Sequence, residues 1–443
     1  MKHILIIGAG RSTTALIQYL LSHAASQQWN ITIADADLAL AQSKAGGHSN
    51  AIAVELDAMN TERRQGLIEQ SDLVVSMLPP KLHIEVARDC LLFKKHLVNA
   101  SYTSEEVKNM DAEVKAAGLT FMCEIGLDPG IDHMSAMLLL DDIREKGGVV
   151  TAFRSYTGGL VAPEYDDNPW HYKFSWAPRN VVLAGQGTAQ YIENGQLRFI
   201  PYQRVFEQIR PIEVPGAGAW EAYANRNSLS YIPIYGLENV PTLIRGTIRG
   251  IGFCSAWNCL IKLGMTDDLF LIPNASEMTY KQLMKCLTFG GKGGVRDQVA
   301  RVCGLPATAQ ELDKLEWLGL FSDEKIGINT GSPADVLENL LLEKWKLGHD
   351  EKDMIIMQHE IEYMQGSQRK FITSTLIQKG SNSADTAMSR LVGLPMGIFI
   401  RHLLSGHEVP KGVVIPIQAE VYKPVLKELS EYGVSFKEYI MNY

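Results

Sequence analysis

The chain has 443 residues, 46% of them hydrophobic and 21% charged, with 42 Lys+Arg against 50 Asp+Glu and a formal net charge of −8. This length and apolar fraction predict two or three globular domains and exclude a disordered chain. The acidic balance argues against nucleic-acid and anionic-membrane partners, both of which need a dense basic face. Six scattered cysteines without a CxxC spacing make neither a disulfide scaffold nor a zinc knuckle, which predicts reduced thiols in a cytoplasmic protein. The apolar run 4–7 is too short for a secretory signal, and the later runs near 137–140 and 392–404 are broken by charge or proline, so no membrane span is expected.

In chain order, β-rich runs are predicted at 3–7, 31–34, 51–56, 73–77, 96–99 and 119–123, alternating with helical patterns at 13–25, 62–69, 83–93 and 104–117. Apolar strands separated by amphipathic helices imply a parallel sheet covered on both faces, the doubly wound, Rossmann-type α/β arrangement. Beyond Gly130 the texture changes. Residues 151–260 are rich in aromatic, glycine and β-branched residues, with strands expected at 149–156, 196–200 and 243–251, as in a second α+β domain built on a mixed sheet. Residues 264–350 read as a small helical insertion, 353–364 and 369–378 as a strand pair turning at Gly366, and 383–404 and 422–432 as closing helices.

The first strand runs directly into Gly8-Ala9-Gly10-Arg11-Ser12-Thr13 and then a helix. In that context the two glycines signify a dinucleotide site: Gly8 permits the tight turn, and Gly10 lets the backbone approach a pyrophosphate at the helix N-terminus. Thr13 stands where the pattern has a third glycine or alanine, which predicts slightly looser helix–strand packing. Asp35 ends the second strand, 25 residues beyond Gly10, where a carboxylate accepts the ribose hydroxyls of NAD and repels the 2′-phosphate of NADP. The same Asp could instead cap the next helix. Asp57 ends the third strand, facing the adenine edge or capping a turn, and Met77-Leu78 follow the fourth, where loops touch the cofactor. NAD is therefore favoured over NADP.

Strand ends also define the substrate crevice, which brings forward Ala100-Ser101-Tyr102 and Asp128, the latter directed by Pro129-Gly130. Arg226 lies in a polar loop, and Arg245, Thr247 and Arg249 share one face of a strand. Guanidinium groups are the preferred partners of carboxylates, although three arginines can equally serve surface ion pairs. The segment 173–179 mixes aromatic and polar groups, including Ser175 and Trp176, as a pocket wall or an aromatic core edge would. No HExxH and no GxSxG occurs, so neither a catalytic metal nor a serine-hydrolase elbow is expected.

The segments EIGLDPGIDH (124–133), SYTGGLVAPE (155–164), NPWHYKFSW (168–176), NRNS (225–228), RGTIR (245–249), WLGLFSD (317–323) and Gln358-His359 closely resemble the saccharopine dehydrogenase family of the glutamate-forming type. The resemblance runs in order over nearly the whole chain. It implies a dinucleotide domain over 1–128, a substrate and dimerisation domain over 129–263 and 351–395, a helical insertion over 264–350, and a C-terminal return to the first domain over 396–443. It implies NAD(P)-linked oxidation of saccharopine, a secondary amine joining lysine and glutamate skeletons, to L-glutamate and 2-aminoadipate 6-semialdehyde, by a homodimer. By position, the cofactor would be lined by Gly8, Gly10, Arg11, Ser12, Thr13, Asp35, Asp57, Met77, Leu78, Ala100 and Ser101. The substrate would be lined by Ser101, Tyr102, Asp128, Ser175, Trp176, Arg226, Thr247, Ile248 and Arg249, with Asp128 and Tyr102 as the acid–base candidates. Two departures stand out. Fungal-type members carry Cys-Arg-Thr after the second strand, where this chain has Asp35-Ala36-Asp37, and the family's pocket cysteine is here Thr157. The competing readings are a related amine dehydrogenase acting on a carboxylated polyamine, and a non-catalytic NAD sensor. The arginines favour a small substrate with several carboxylates over a polyamine, and an intact Asp128, Arg226 and Arg249 would be superfluous in a sensor.

Overall fold

The computed structural model describes every residue except Gly185 and Tyr443. The chain divides into two compact units, Met1–Val149 with Ala384–Lys437, and Val150–Ser383 with the residues from Glu438 onward. The sequence reading places the corresponding changes at 128 and 395.

In the first unit, strands β1 (Lys2–Ile7), β2 (Trp29–Asp35), β3 (Ala51–Glu55), β4 (Leu73–Ser76), β5 (His96–Val98) and β6 (Thr120–Met122) stand in the order β3-β2-β1-β4-β5-β6, with Gly412–Val414 added beside β6. All neighbours are parallel. Ile4–Ile7 and the whole of β4 are buried, as an all-parallel sheet with helices on both faces requires. The order reverses between β1 and β4, so the loops leaving these two strands flank the ligand crevice of a doubly wound sheet. The expected doubly wound architecture is present.

The C-terminal segment is locked onto this unit by small residues. Helix Ala387–Leu404 packs against helix Thr14–Gln27, and a Cβ added at Gly393 would lie 2.5 Å from Leu16 N, one at Gly397 2.6 Å from the Tyr19 ring. The Ser389 hydroxyl accepts from Ala15 N at 3.1 Å, satisfying an amide in the first turn of the helix that follows the glycine loop. Gly393→Ala should therefore force the two helices apart and lower stability by about 1–3 kcal/mol. A thermal melt checks this, and an unchanged Tm would mean that the helix pair absorbs a methyl group freely.

The second unit is built on a mixed sheet of β7 (Gly148–Val161), β8 (Ala189–Glu193), β9 (Gln196–Ile200), β10 (Ile209–Val214), β11 (Gly218–Ala224), β12 (Leu243–Arg249), β13 (Asp353–Gln365) and β14 (Gln368–Lys379), closed by Lys437–Asn442. Its main path runs β10-β11-β12-β7-β13-β14 and ends on that closing strand, while β8 pairs with β12 and β9. The last strand therefore leaves the first unit, instead of returning to it with the rest of 396–443. Helices Phe253–Lys262, Tyr280–Leu287, Val295–Cys303, Gln310–Leu318 and Pro333–Lys344 share one apolar core with Trp170, Tyr172, Phe174 and Trp345. Among the described residues, no helix is long and apolar enough to cross a membrane.

Local signals fail where tertiary packing dominates. The single helix expected over 104–117 is two short ones, Glu105–Lys108 and Asp111–Ala116, parted at Asn109, a weak helix former. Helices Ile131–Glu145 and Phe253–Lys262 lie outside the predicted helical patterns; in the first, burial on most sides weakens the apolar/polar periodicity, whereas the second keeps a polar stripe at Ser255, Asn258 and Lys262. Strands β8, β10 and β11 were missed, β10 because its residues alternate with Pro211 and charged side chains at a sheet edge.

Candidate active site

In the first unit, β1 feeds Gly8, Ala9 and Gly10, a short 3-10 turn Arg11–Thr13, and then helix Thr14–Gln27. Gly8 has φ +103° and could carry no side chain, since a Cβ would lie 2.7 Å from the Met77 carbonyl oxygen. At Gly10 the opposite holds: it is exposed, and no atom lies within 4 Å of where a Cβ would be. The loop thus presses against β4's exit at one glycine and leaves open space at the other. These residues fit a dinucleotide pyrophosphate laid across Gly10 at the helix N-terminus. Thr13 is buried, with its hydroxyl donating to the Gly10 carbonyl at 2.7 Å, which braces the turn.

Asp35 is not a helix cap. That place is taken by Asp37, whose carboxylate accepts from Ala39 N and Leu40 N. Asp35 instead accepts from Ala9 N through Oδ2 at 2.6 Å and from Asp37 N through Oδ1 at 2.9 Å. Its carboxylate is fixed beside the glycine loop, with lone pairs remaining on both oxygens for ribose hydroxyls. Asp57 accepts from Met59 N at 2.9 Å in a local turn, and Asn60 caps the following helix. Met77 N donates to Ile7 O at 2.8 Å, which aligns the β1 and β4 exits, while Leu78 packs against the apolar core of the unit. The exit of β5 carries Ala100, Ser101 and Tyr102, with Ser101 N held by Asn99 Oδ1 at 3.0 Å.

Beyond β6, one polar network aims the acid–base candidates. The Tyr102 hydroxyl donates to Asp128 Oδ1 at 2.8 Å, and Tyr102 is 36% exposed. Flanking this pair in the chain are the buried side chains of Glu124, Asp132 and His133. Glu124, at φ +58°, accepts from both the amide and the hydroxyl of Thr103 and lies 3.0 Å from His133 Nε2. Asp132 accepts from Gly130 N at 2.6 Å. Glu124 therefore anchors the residue after Tyr102, and Asp132 anchors the turn after Asp128. Hydrogen bonds from His133 and Thr103 hold the Glu124 carboxyl below its usual range despite the opposing effect of burial. The sequence reading missed this supporting layer, although its residues lie inside the EIGLDPGIDH segment; close spacing of buried Glu, Asp and His was the available signal.

In the second unit, β12 alternates cleanly. Ile244 and Ile248 enter the apolar core with Tyr156, Leu160 and Ile212, while Arg245, Thr247 and Arg249 take the other face. Ile248, expected to line the substrate, keeps its side chain in the core, because the strand period of two turns it away. The guanidinium of Arg245 lies over the Tyr231 ring, 4.1 Å from its centroid. Arg249 is only 3% exposed. Its guanidinium sits 5.3 Å from the ring centroids of both Tyr172 and Phe253, Nη1 donates to Ile248 O at 3.1 Å, and Nε has no partner. Glu221 is its cross-strand neighbour, but that carboxylate is occupied by the amides of Gly252 and Cys254. Among the described residues Arg249 forms no ion pair. Thr157, which pairs in register with Thr247, and Ser175 also bury hydroxyls without partners.

Arg226 is exposed, at φ +41°, in a loop tied down by Gln190 N donating to its carbonyl at 2.7 Å and by Asn225 N donating to Arg245 O at 2.8 Å. Trp176 donates its indole N–H to the Tyr172 hydroxyl at 3.2 Å. Lys173 and Arg179, from the same segment, are engaged by Asp167 with Glu351 and by Asp335 with Asp268. Among the described residues, no group of three or more His, Cys, Asp or Glu is disposed to hold a metal ion.

A doubly wound sheet with a glycine turn open at Gly10, joined in one chain to a sheet domain presenting a buried, uncompensated arginine, defines a dinucleotide-linked dehydrogenase of two-domain type. Residues 4–122 match the family described as "Saccharopine dehydrogenase NADP binding domain", and residues 126–434 match "Saccharopine dehydrogenase C-terminal domain". The chain belongs to the saccharopine dehydrogenase family. It is 31% identical to "Saccharopine dehydrogenase [NADP(+), L-glutamate-forming]" of Schizosaccharomyces pombe, over 100% of both chains. It is 34% identical to "Alpha-aminoadipic semialdehyde synthase, mitochondrial" of Mus musculus, over 98% of this chain and 47% of that one. Among solved structures, the apo, histidine-tagged saccharopine dehydrogenase (L-Glu forming) from Saccharomyces cerevisiae superposes with a TM-score of 0.88 at 30% identity, covering 100% of both chains. A homospermidine synthase from Legionella pneumophila solved with NAD shares the fold, with a TM-score of 0.57 at 11% identity over 99% of this chain and 91% of that one.

Proposed function

We propose that this chain oxidises saccharopine at the lysine-derived CH2 attached to its secondary amine, yielding L-glutamate and 2-aminoadipate 6-semialdehyde, or runs the reverse reaction, in lysine metabolism. The observation that carries the substrate class is Arg249, a buried guanidinium without an anionic partner among the described residues, on a sheet face that also buries the unpartnered Thr157 hydroxyl. A buried charge is tolerated when a ligand completes its pairing, and a carboxylate matches the guanidinium fork. The dinucleotide supplies the hydride acceptor when bound. The chain's own residues then position and move protons: Gly10 and the following turn hold the pyrophosphate, Arg249 and Arg226 hold carboxylates, and the Tyr102–Asp128 pair serves the amine. Loss of hydride leaves an imine, water adds to its carbon, and the C–N bond breaks with a proton delivered to the departing nitrogen. Balanced overall, saccharopine, water and the oxidised dinucleotide give two products, the reduced dinucleotide and one proton.

Asp35 supports NAD as the preferred cofactor, since its fixed carboxylate repels a 2′-phosphate. The relatives named above as NADP(+) enzymes make this a sharp question. Steady-state assays with saccharopine should show kcat/KM at least ~10-fold higher with NAD than with NADP, about 1.4 kcal/mol of discrimination. Asp35→Asn, which keeps an acceptor for Ala9 N, should narrow that gap. No reduction of either cofactor would sink the substrate assignment, and an NADP preference would sink the role of Asp35.

The free cysteines are in keeping with a reducing, cytoplasmic setting. A homodimer is supported by the strand Lys437–Asn442, which ends the main path of the second sheet with Tyr439, Ile440 and Met441 exposed. Light scattering on the eluting protein tests it directly.

A further inference from the structure

At the exits of β4 and β5 a polar chain runs through a buried histidine. His83 opens helix His83–Leu92 and is buried. Each of its ring nitrogens meets one hydroxyl: Nδ1 lies 2.8 Å from Ser76 Oγ, and Nε2 lies 2.8 Å from Ser101 Oγ. Ser76, the last residue of β4, is fully buried, and His83 is the partner of its hydroxyl. Ser101 is half-buried at the exit of β5, with its amide held by Asn99.

Burial pushes the His83 imidazole down to about 4, so the ring is neutral near pH 7. A neutral imidazole has one N–H and one bare nitrogen, which leaves two arrangements. With the proton on Nδ1, the ring donates to Ser76 Oγ, and the Ser76 hydroxyl proton is stranded in the interior without an acceptor, a condition that folded proteins rarely tolerate. With the proton on Nε2, Ser76 donates to Nδ1, Nε2–H donates to Ser101 Oγ, and every buried group is satisfied. The second arrangement also fixes a direction. Ser101 Oγ accepts from the ring, and its own proton is left for whatever enters the crevice.

We infer that His83 is a positioning residue that occupies one acceptor site of Ser101 and turns the Ser101 hydroxyl proton toward the crevice, where it favours a ligand carbonyl or carboxylate oxygen. This rests on the dehydrogenase reading only for the identity of the ligand. Two ligands bring such an oxygen: the carboxamide of the dinucleotide and a carboxylate of the amine substrate.

Nitrogen-15 spectra of protein labelled at histidine, with His83→Gln used to assign the signal, should show a protonated Nε2 and a bare Nδ1. A proton on Nδ1 would overturn the inference whatever reaction the protein performs. Titration with the natural dinucleotide and its thionicotinamide analogue, whose sulfur is a weak acceptor, needs no turnover either. If the carboxamide is the partner, the parent protein should bind the analogue ~10-fold more weakly, and His83→Leu should abolish that difference. If a substrate carboxylate is the partner, the relative affinity of the two dinucleotides should be the same in the parent and in His83→Leu, and the KM for the amine substrate should rise ~10-fold in His83→Leu with little change in kcat. In either case His83→Gln, which can again donate to Ser101, should recover most of the loss. Equal losses in the Leu and Gln variants, or no change for either ligand, would reduce His83 to a filler of the β4–β5 exit.

Discussion

Asp128→Asn is expected to lower kcat by ~100-fold or more, within the range for loss of a general acid–base group, while dinucleotide affinity stays nearly unchanged. The reason is geometric as well as electrostatic. An asparagine oxygen can still accept from the Tyr102 hydroxyl, which now donates to Asp128 at 2.8 Å, so the loop keeps its shape and loses only the carboxylate. The turn is independently held by Asp132 on Gly130 N and by Gly126 N donating to Pro129 O at 2.9 Å. The substitution therefore tests chemistry more than folding. Tyr102→Phe should reduce kcat in the same direction, and the double variant should lose less than the sum of the two, because partners in one hydrogen bond act together. A single turnover measured by rapid mixing would separate the chemical step from product release. If kcat of Asp128→Asn stays within a few-fold of the parent, the pair orients the substrate and the proton travels elsewhere.

Arg249→Met is expected to weaken the amine substrate by ~100-fold in KM, about 2.7 kcal/mol, as loss of charge-assisted hydrogen bonds predicts. The same variant should melt no lower than the parent, because this guanidinium is buried without an ion pair among the described residues and its Nε lacks a partner. Removing an uncompensated buried charge relieves its desolvation cost, and methionine keeps much of the volume against Tyr172 and Phe253. A binding residue thus differs from a structural one in the sign of the stability change. Arg249→Lys should rescue little, because an ammonium cannot reproduce the planar fork. Calorimetry of the two variants beside their KM values checks both halves. A large fall in Tm with an unchanged KM would return Arg249 to a structural role.

Much of this arrangement was legible along the chain, and the residues show why. Gly8, Gly10 and Asp35 form a local signature: strand, turn and helix are contiguous, so spacing alone predicts that they meet, and Ala9 N does reach Asp35. Arg245, Thr247 and Arg249 share a face through the two-residue period of one strand. That same period placed Ile248 on the wrong side of the expected pocket, an error that alternation alone would have prevented. By contrast, His83 looked like an ordinary helix residue, because its partners Ser76 and Ser101 come from different strands.

The sequence by itself determined the doubly wound class, the glycine turn, the family and the candidate carboxylate ligands, since each rests on contiguous residues or on period. Only the tertiary structure decided which polar groups are already satisfied. It assigned the helix cap to Asp37 and left Asp35 to the glycine loop. It engaged Lys173 and Arg179 in ion pairs while burying Arg249 without one among the described residues, and it tied Glu124 to His133 and to Thr103, next to Tyr102, and Asp132 to Gly130, next to Pro129. Hydrogen bonding and burial are properties of surroundings drawn from distant parts of the chain, so residues of one type acquire different tasks only once the chain has folded.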